Sequence, residues 1–124
     1  MRRVLVVDDD ADIRVIAELA LARLGGFQVM LADSGEKALA LASECVPDLI
    51  LLDVSMPLLD GPATLCALRR RRATAHVPVI FFTAASSDAE TSRLRGLGAL
   101  GVLSKPFDMA QLARHVRSIL EPLE

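Results

Sequence analysis

Asp8, Asp9, Asp10 and Asp12 place four carboxylates within five positions, directly after the apolar run Val4–Val7. Like charges this close raise one another's pKa, and buried carboxylates need a partner, so a cation or a set of backbone donors must stand nearby. Three later segments end on complementary groups. PDLILLD closes on Asp53, VPVIFFTA on Thr83-Ala84, and VLSKPF carries Lys105-Pro106. Clustered carboxylates and main-chain carbonyls are hard oxygen ligands suited to Mg²⁺. Once such a cation offsets the repulsion, one carboxylate can act as a nucleophile towards phosphorus. A lysine and a hydroxyl can then hold phosphoryl oxygens where negative charge accumulates. Phosphoryl transfer requires little beyond this positioning and charge neutralisation.

These residues meet only if the chain brings distant strand ends together. Five short apolar runs read as strands: Val4 to Val7, Val29 to Leu31, Leu49 to Leu52, Val79 to Phe82, and Val102 to Leu103. Between them, apolar residues recur at three- and four-residue steps. The first such segment carries Ile13, Ile16, Ala17, Ala20, Leu21 and Leu24, and the second Ala38, Leu39, Leu41 and Ala42. Leu65 with Leu68, Leu94 with Leu97, and Leu112, Val116, Ile119 and Leu120 continue the helical period. Gly25-Gly26 stops the first helix, Ser34 caps the second, and Pro62 stands at the first position of the third. Pro78 opens its strand, where a missing donor is tolerated. Strands apolar on both faces and alternating with helices predict an α/β, three-layer doubly wound (βα)5 fold around a parallel sheet. Ligands of such folds bind outside the carboxyl ends of the strands, where Asp8, Asp9, Asp53, Thr83 and Lys105 all fall.

Composition agrees with one domain over residues 1–124 and a core of Leu, Val, Ile and Ala. Hydrophobic residues make up 52% of the chain, yet only four are aromatic, all Phe. A net charge of -2, from 14 basic and 16 acidic residues, gives no bulk reason to expect nucleic-acid or membrane-surface binding. Cys45 and Cys66 stand far apart with no metal-ligand spacing, which suits reduced thiols in the cytosol. No run approaches the roughly 18 apolar residues of a membrane span, and the apolar stretch before Asp8 is too short for a signal peptide. A cytoplasmic protein is expected. The ending Leu120–Glu124 reads as a frayed terminus or the start of a linker.

Taken in order, VLVVDDD, DLILLDVSMPLLDG, PVIFFTA and GALGVLSKPF resemble the receiver domain of bacterial two-component response regulators across essentially the whole chain. The resemblance implies a flavodoxin-like five-stranded sheet of order 2-1-3-4-5. It implies that Asp53 accepts a phosphoryl group and that Asp9, Asp53 and the Ser55 carbonyl bind Mg²⁺, with Asp8 reaching the ion through water. Thr83 would bond the phosphoryl group, Lys105 would pair with it, and the Lys105-Pro106 bond would be cis. The donor would be a histidine kinase or phosphotransfer protein, and phosphorylation would alter binding to a downstream partner or output domain that the residues do not identify. The chain would not be an enzyme in the ordinary sense, although it would promote its own phosphorylation and dephosphorylation. Small Ser55 and Ala85 beside the pocket are expected to influence the approach of water.

Two positions depart from the family pattern. The residue three before the lysine is Val102, where many receivers carry an aromatic that swings inward when the threonine engages phosphate. The signal is then expected to pass through Thr83 and backbone shifts, or through another surface. Leu100-Gly101 stands where DNA-binding members often place acidic residues that pair across a dimer.

Plainer roles account for other residues. Asp10 and Asp12 suit a helix start, and Arg69–Arg72 suit a helix C-terminus, without the aromatic partners that nucleic-acid contact would require. His76 reads as a loop residue and His115 as a helix-surface one. A phosphatase of the dehalogenase-like kind also forms an aspartyl phosphate, but its DxDxT-like signature fails at Asp12. A calcium loop fails because Ile13 replaces the required glycine and Leu19 the bidentate acid. A metal-independent interaction domain leaves the acid cluster without a purpose.

Overall fold

The computed structural model describes residues 2–84 and 87–121. Ala85 and the end of the terminal segment, 122–124, lie outside them. The strands are β1 (Arg3–Val7), β2 (Gln28–Ala32), β3 (Leu49–Asp53), β4 (Val79–Thr83) and β5 (Gly101–Ser104). The helices between and after them are α1 (Ala11–Leu19), α2 (Gly35–Glu44), α3 (Gly61–Arg69), α4 (Asp88–Gly96) and α5 (Met109–Leu120). All pairings are parallel, and the order is β2-β1-β3-β4-β5. The doubly wound arrangement and strand order expected from the sequence are therefore present.

Side chains on a strand point alternately to opposite faces, so each inner strand feeds two cores. Leu5, Val7, Ile50, Leu52, Val79 and Phe81 pack with Ala38 and Ala42 of α2, Leu65 and Leu68 of α3, and Leu94 of α4. Val4, Val6, Leu49, Leu51, Ile80 and Phe82 pack with Ala17 of α1 and Leu112, Val116 and Leu120 of α5. Both faces of β3 and β4 are wholly buried, which is why these strands read as continuous apolar runs. Each fully buried Leu, Ile or Phe contributes about 1.5–3 kcal/mol of hydrophobic stabilisation.

Five side-chain caps start the five helices: Asp10, Ser34, Asp60, Ser87 and Asp108 each accept a hydrogen bond from a backbone N–H of the first turn. Pro62 falls in the first turn of α3, behind its Asp60 cap. The first helix does not simply stop at Gly25. It widens over Ala20–Leu24 into a π-helical turn, and the Gly25 N–H bonds the Ala20 carbonyl at 3.1 Å. Arg117 of α5 donates to the freed carbonyl of Gly25 at 2.9 Å and ties the two helices together.

Helical periodicity overstated burial at some positions. Ile16, Leu24 and Leu97 share the apolar period of their helices but are exposed, while Ala17, Ala20, Leu21 and Leu94 are buried. Two arginines at the end of α3 brace neighbouring segments: Arg69 donates to the Val77 carbonyl at 2.8 Å, and Arg71 to Ser43 Oγ at 2.8 Å. His76 lies exposed in a turn and His115 is exposed on α5. Among the described residues, no helix is long and apolar enough to cross a membrane.

Candidate functional site

The carboxyl ends of β1, β3, β4 and β5 supply the residues singled out above. In-register pairing sets Asp53 opposite Phe82 and Thr83 opposite Ser104, so Asp53, Thr83 and the approach to Lys105 share one edge of the sheet. A cavity of about 250 Å³ opens there, lined by Asp8, Asp9, Asp10, Asp53, Val54, Ser55, Thr83, Ala84 and Lys105. Of the site residues predicted from the sequence, Asp8, Asp9, Asp53, Ser55, Thr83 and Lys105 line it, Ala85 lies outside the described residues, and Val102 is not among the lining residues. Val102 instead packs against the core on the α2–α4 side of the sheet.

Asp8 is fully buried and Asp53 and Thr83 are 5% exposed, whereas Asp9 is exposed at the mouth. The Lys105 ammonium bridges the two buried acids, 2.7 Å from Asp8 Oδ2 and 3.0 Å from Asp53 Oδ1. This is the cation that the crowded aspartates required, delivered from the opposite end of the chain. Lys105 is itself held at the backbone, where its N–H donates to the Thr83 carbonyl at 2.9 Å, and the following peptide bond to Pro106 is cis.

Burial pushes the Asp53 carboxyl above its ordinary pKa; the hydrogen bond from Lys105 works the other way, and the nearby Asp8 charge adds to the rise. For Lys105, burial alone would lower the pKa. The hydrogen bonds and charges of Asp8 and Asp53 outweigh it, and the net direction is upward.

The β1–α1 loop is stiffened by short bonds. The Asp8 N–H donates to the Ala32 carbonyl at 3.1 Å, and the Asp10 N–H to Asp8 Oδ1 at 2.9 Å. Asp10 Oδ1 accepts from the Asp12 N–H at 2.9 Å, the helix-start role read from the sequence, although Asp10 also lines the cavity. The Ser55 N–H donates to Asp53 Oδ1 at 3.4 Å. Arg14 joins the site unannounced: its Nη1 donates to the Asp8 carbonyl at 2.8 Å, a contact no motif or spacing signalled.

The donor set fits a hard divalent cation. Asp8, Asp9 and Asp53 each offer a carboxylate oxygen, all within 4.8 Å of one another. Asp8 Oδ2 is buried and, among the described residues, is met by the Lys105 ammonium alone at 2.7 Å, so this strong acceptor keeps lone-pair capacity for a cation.

The model of the response regulator receiver domain matches residues 4–117. The chain belongs to this receiver family. Receiver domains of two-component response regulators are phosphorylated on an aspartate by histidine kinases. The transcriptional regulatory protein PrrA of Mycobacterium leprae is 45% identical to this receiver domain over 120 residues, covering 95% of the chain and 49% of the relative. CpxR of Escherichia coli, also a transcriptional regulatory protein, is 40% identical over 97% of the chain and 50% of its own length. The receiver domain thus spans about half the length of the curated relatives it matches. Among solved structures, the chemotaxis protein CheY4 of Vibrio cholerae superposes with a TM-score of 0.89 at 31% identity, covering 96% of this chain and 98% of that one.

Proposed function

We propose that residues 1–124 form one receiver domain in which Asp53 accepts a phosphoryl group from a histidine-kinase or phosphotransfer-protein phosphohistidine. The observation that carries this reading is the placement of the Asp53 carboxylate: 5% exposed, lining a cavity, and 3.0 Å from the Lys105 ammonium. A carboxylate held this way is screened from bulk water yet open to one face of an incoming phosphorus.

Asp53 attacks phosphorus, the P–N bond to the imidazole breaks, and a P–O bond forms. Lys105 pairs with the phosphoryl oxygens and Thr83 donates to one of them as charge accumulates. Asp8, Asp9, Asp53 and the Ser55 carbonyl are the residues that would hold Mg²⁺. When bound, the ion neutralises carboxylate and phosphoryl charge. Attack of water on the acyl phosphate releases inorganic phosphate and returns Asp53, and the same residues promote both the phosphorylation and the dephosphorylation of the domain. The altered state is read by a downstream partner or output domain in the cytoplasm. Val102 being aliphatic, the change passes through Thr83 and the β4 and β5 backbone.

Intact-mass measurement after incubation with Mg²⁺ and acetyl phosphate tests the assignment. One phosphoryl adduct is expected on the wild-type chain and none on Asp53→Asn; an unchanged adduct on the variant would refute Asp53 as acceptor.

A further inference from the structure

We propose that Arg14 of α1 is a positioning residue that fixes the Asp8–Asp9 peptide and thereby sets the Asp9 carboxylate against Asp8 and Asp53 for divalent-cation binding. The inference rests on the reading of the acid cluster as a metal site.

Besides the pairing of its Oδ2 with Lys105, Asp8 is tied down at its three other polar groups. Its N–H bonds Ala32, its Oδ1 accepts from the Asp10 N–H, and its carbonyl accepts from Arg14 Nη1 at 2.8 Å. The first bond is part of the sheet edge and the second lies within the loop. Only the third is supplied by a side chain of the following helix. It acts on the carbonyl of the peptide that joins Asp8 to Asp9. The orientation of that peptide plane determines where the Asp9 Cα sits and hence where its carboxylate can reach. Asp9 needs such help because its side chain is exposed, while Asp8 and Asp53 are held by burial and by Lys105.

The choice of acceptor strengthens the case. Arg14 stands on the helix that opens with Asp10 and Asp12 and beside the loop that carries Asp8 and Asp9, yet among the described residues it forms no ion pair with any of them. An arginine among four aspartates would ordinarily fork onto a carboxylate. Bound to a main-chain carbonyl instead, it leaves the carboxylate oxygens to a metal. Groups that orient metal ligands without touching the metal typically change affinity by tenfold or more when removed.

The test is Mn²⁺ binding to the full chain, read as loss of the free-ion paramagnetic resonance signal, for wild type, Arg14→Ala, Arg14→Lys and the control Glu18→Ala on the exposed side of the same helix. Arg14→Ala is expected to bind about tenfold more weakly. Arg14→Lys should recover part of the loss and Glu18→Ala should match wild type, while the metal-free unfolding temperatures of Arg14→Ala and Glu18→Ala stay within a few degrees. Wild-type affinity in Arg14→Ala, or equal losses in Arg14→Ala and Glu18→Ala, overturns the proposal. If Arg14→Ala does not fold, Arg14→Lys decides alone: full wild-type affinity in a chain whose lysine no longer protects the loop amides from hydrogen exchange refutes it, and reduced affinity supports it. A wild-type chain that bound no Mn²⁺ would refute the metal reading beneath it, a result distinct from failure of Arg14.

Discussion

Lys105 Nζ lies 2.7 Å from Asp8 Oδ2, joining the first strand end to the last across an acid that is fully buried. Removing the cation strands that charge. Lys105→Met should cost about 3 kcal/mol of stability at neutral pH, because an uncompensated buried carboxylate is far costlier than a paired one. Added Mg²⁺ should restore part of the loss. Urea denaturation with and without the ion measures both, and unchanged stability in the ion-free variant would show that the pair is dispensable.

Asp53 has a pH signature of its own. Its carboxyl is raised by burial above the ordinary value of 3.8, so the folded state binds a proton more tightly than the unfolded state does. The stabilisation from that protonated form is complete below the unfolded pKa and is lost as pH rises through the folded one. Asp53→Asn, which cannot ionise, should therefore gain stability relative to wild type as pH increases from about 4 to 7 in the absence of divalent ions. Thermal unfolding across that range checks the sign; a variant that lost ground with rising pH would contradict it.

Leu58 breaks a local rule without visible return. It has a φ of 69° and is 96% exposed, so it carries the strain of the left-handed region and buries nothing. Leu58→Gly should raise stability by about 1 kcal/mol, or about 4 °C in Tm. A calorimetric scan showing a lower Tm would mean that the side chain holds the loop in a way its exposure conceals.

Phe107 stacks on Phe82 with ring centroids 5.1 Å apart and planes 13° from parallel, linking the start of α5 to the residue before Thr83. A double-mutant cycle of Phe82→Leu and Phe107→Leu should return a coupling of about 1 kcal/mol. Additive losses would show that the rings are independent.

Gly61 lies so close to the end of β3 that a Cβ there would collide with the Asp53 carbonyl and press on the Val54 Cα at 2.8 Å. Gly61→Ala should destabilise the chain by about 1–3 kcal/mol and slow adduct formation on Asp53. A fully stable variant with normal phosphorylation would show that the loop can retreat.

Much of this was legible in the residues because the signals were redundant. Leu49–Leu52 is apolar on both faces, so only a central parallel strand suits it, and the observed β3 extends just one residue further, to Asp53 itself. Ser34 and Pro62 marked helix starts through chemistry that acts within one turn. What stayed hidden depends on contacts between distant segments or on backbone shape with no residue signature. The π turn at Ala20–Leu24 looks helical in any periodic reading. A leucine at Leu58 gives no hint of positive φ, and nothing in the spacing of Arg14 aims it at a carbonyl rather than at its acidic neighbours. Ile16 and Leu97 follow the apolar period, but among the described residues their side chains stay exposed.

The convergence of β1, β3, β4 and β5 on one edge has a consequence for the life of the chain before it is complete. Asp8 leaves the ribosome early, Asp53 near the midpoint, and Lys105 only when the last strand has been made. A chain stalled or cut before β5 has Asp53 but neither the ammonium that pairs with it nor the strand that presents that ammonium. Within residues 2–84 and 87–121 the pocket is therefore assembled only when β5 has paired with β4, so the contacts of Lys105 with Asp8 and Asp53 report that the whole sheet has formed.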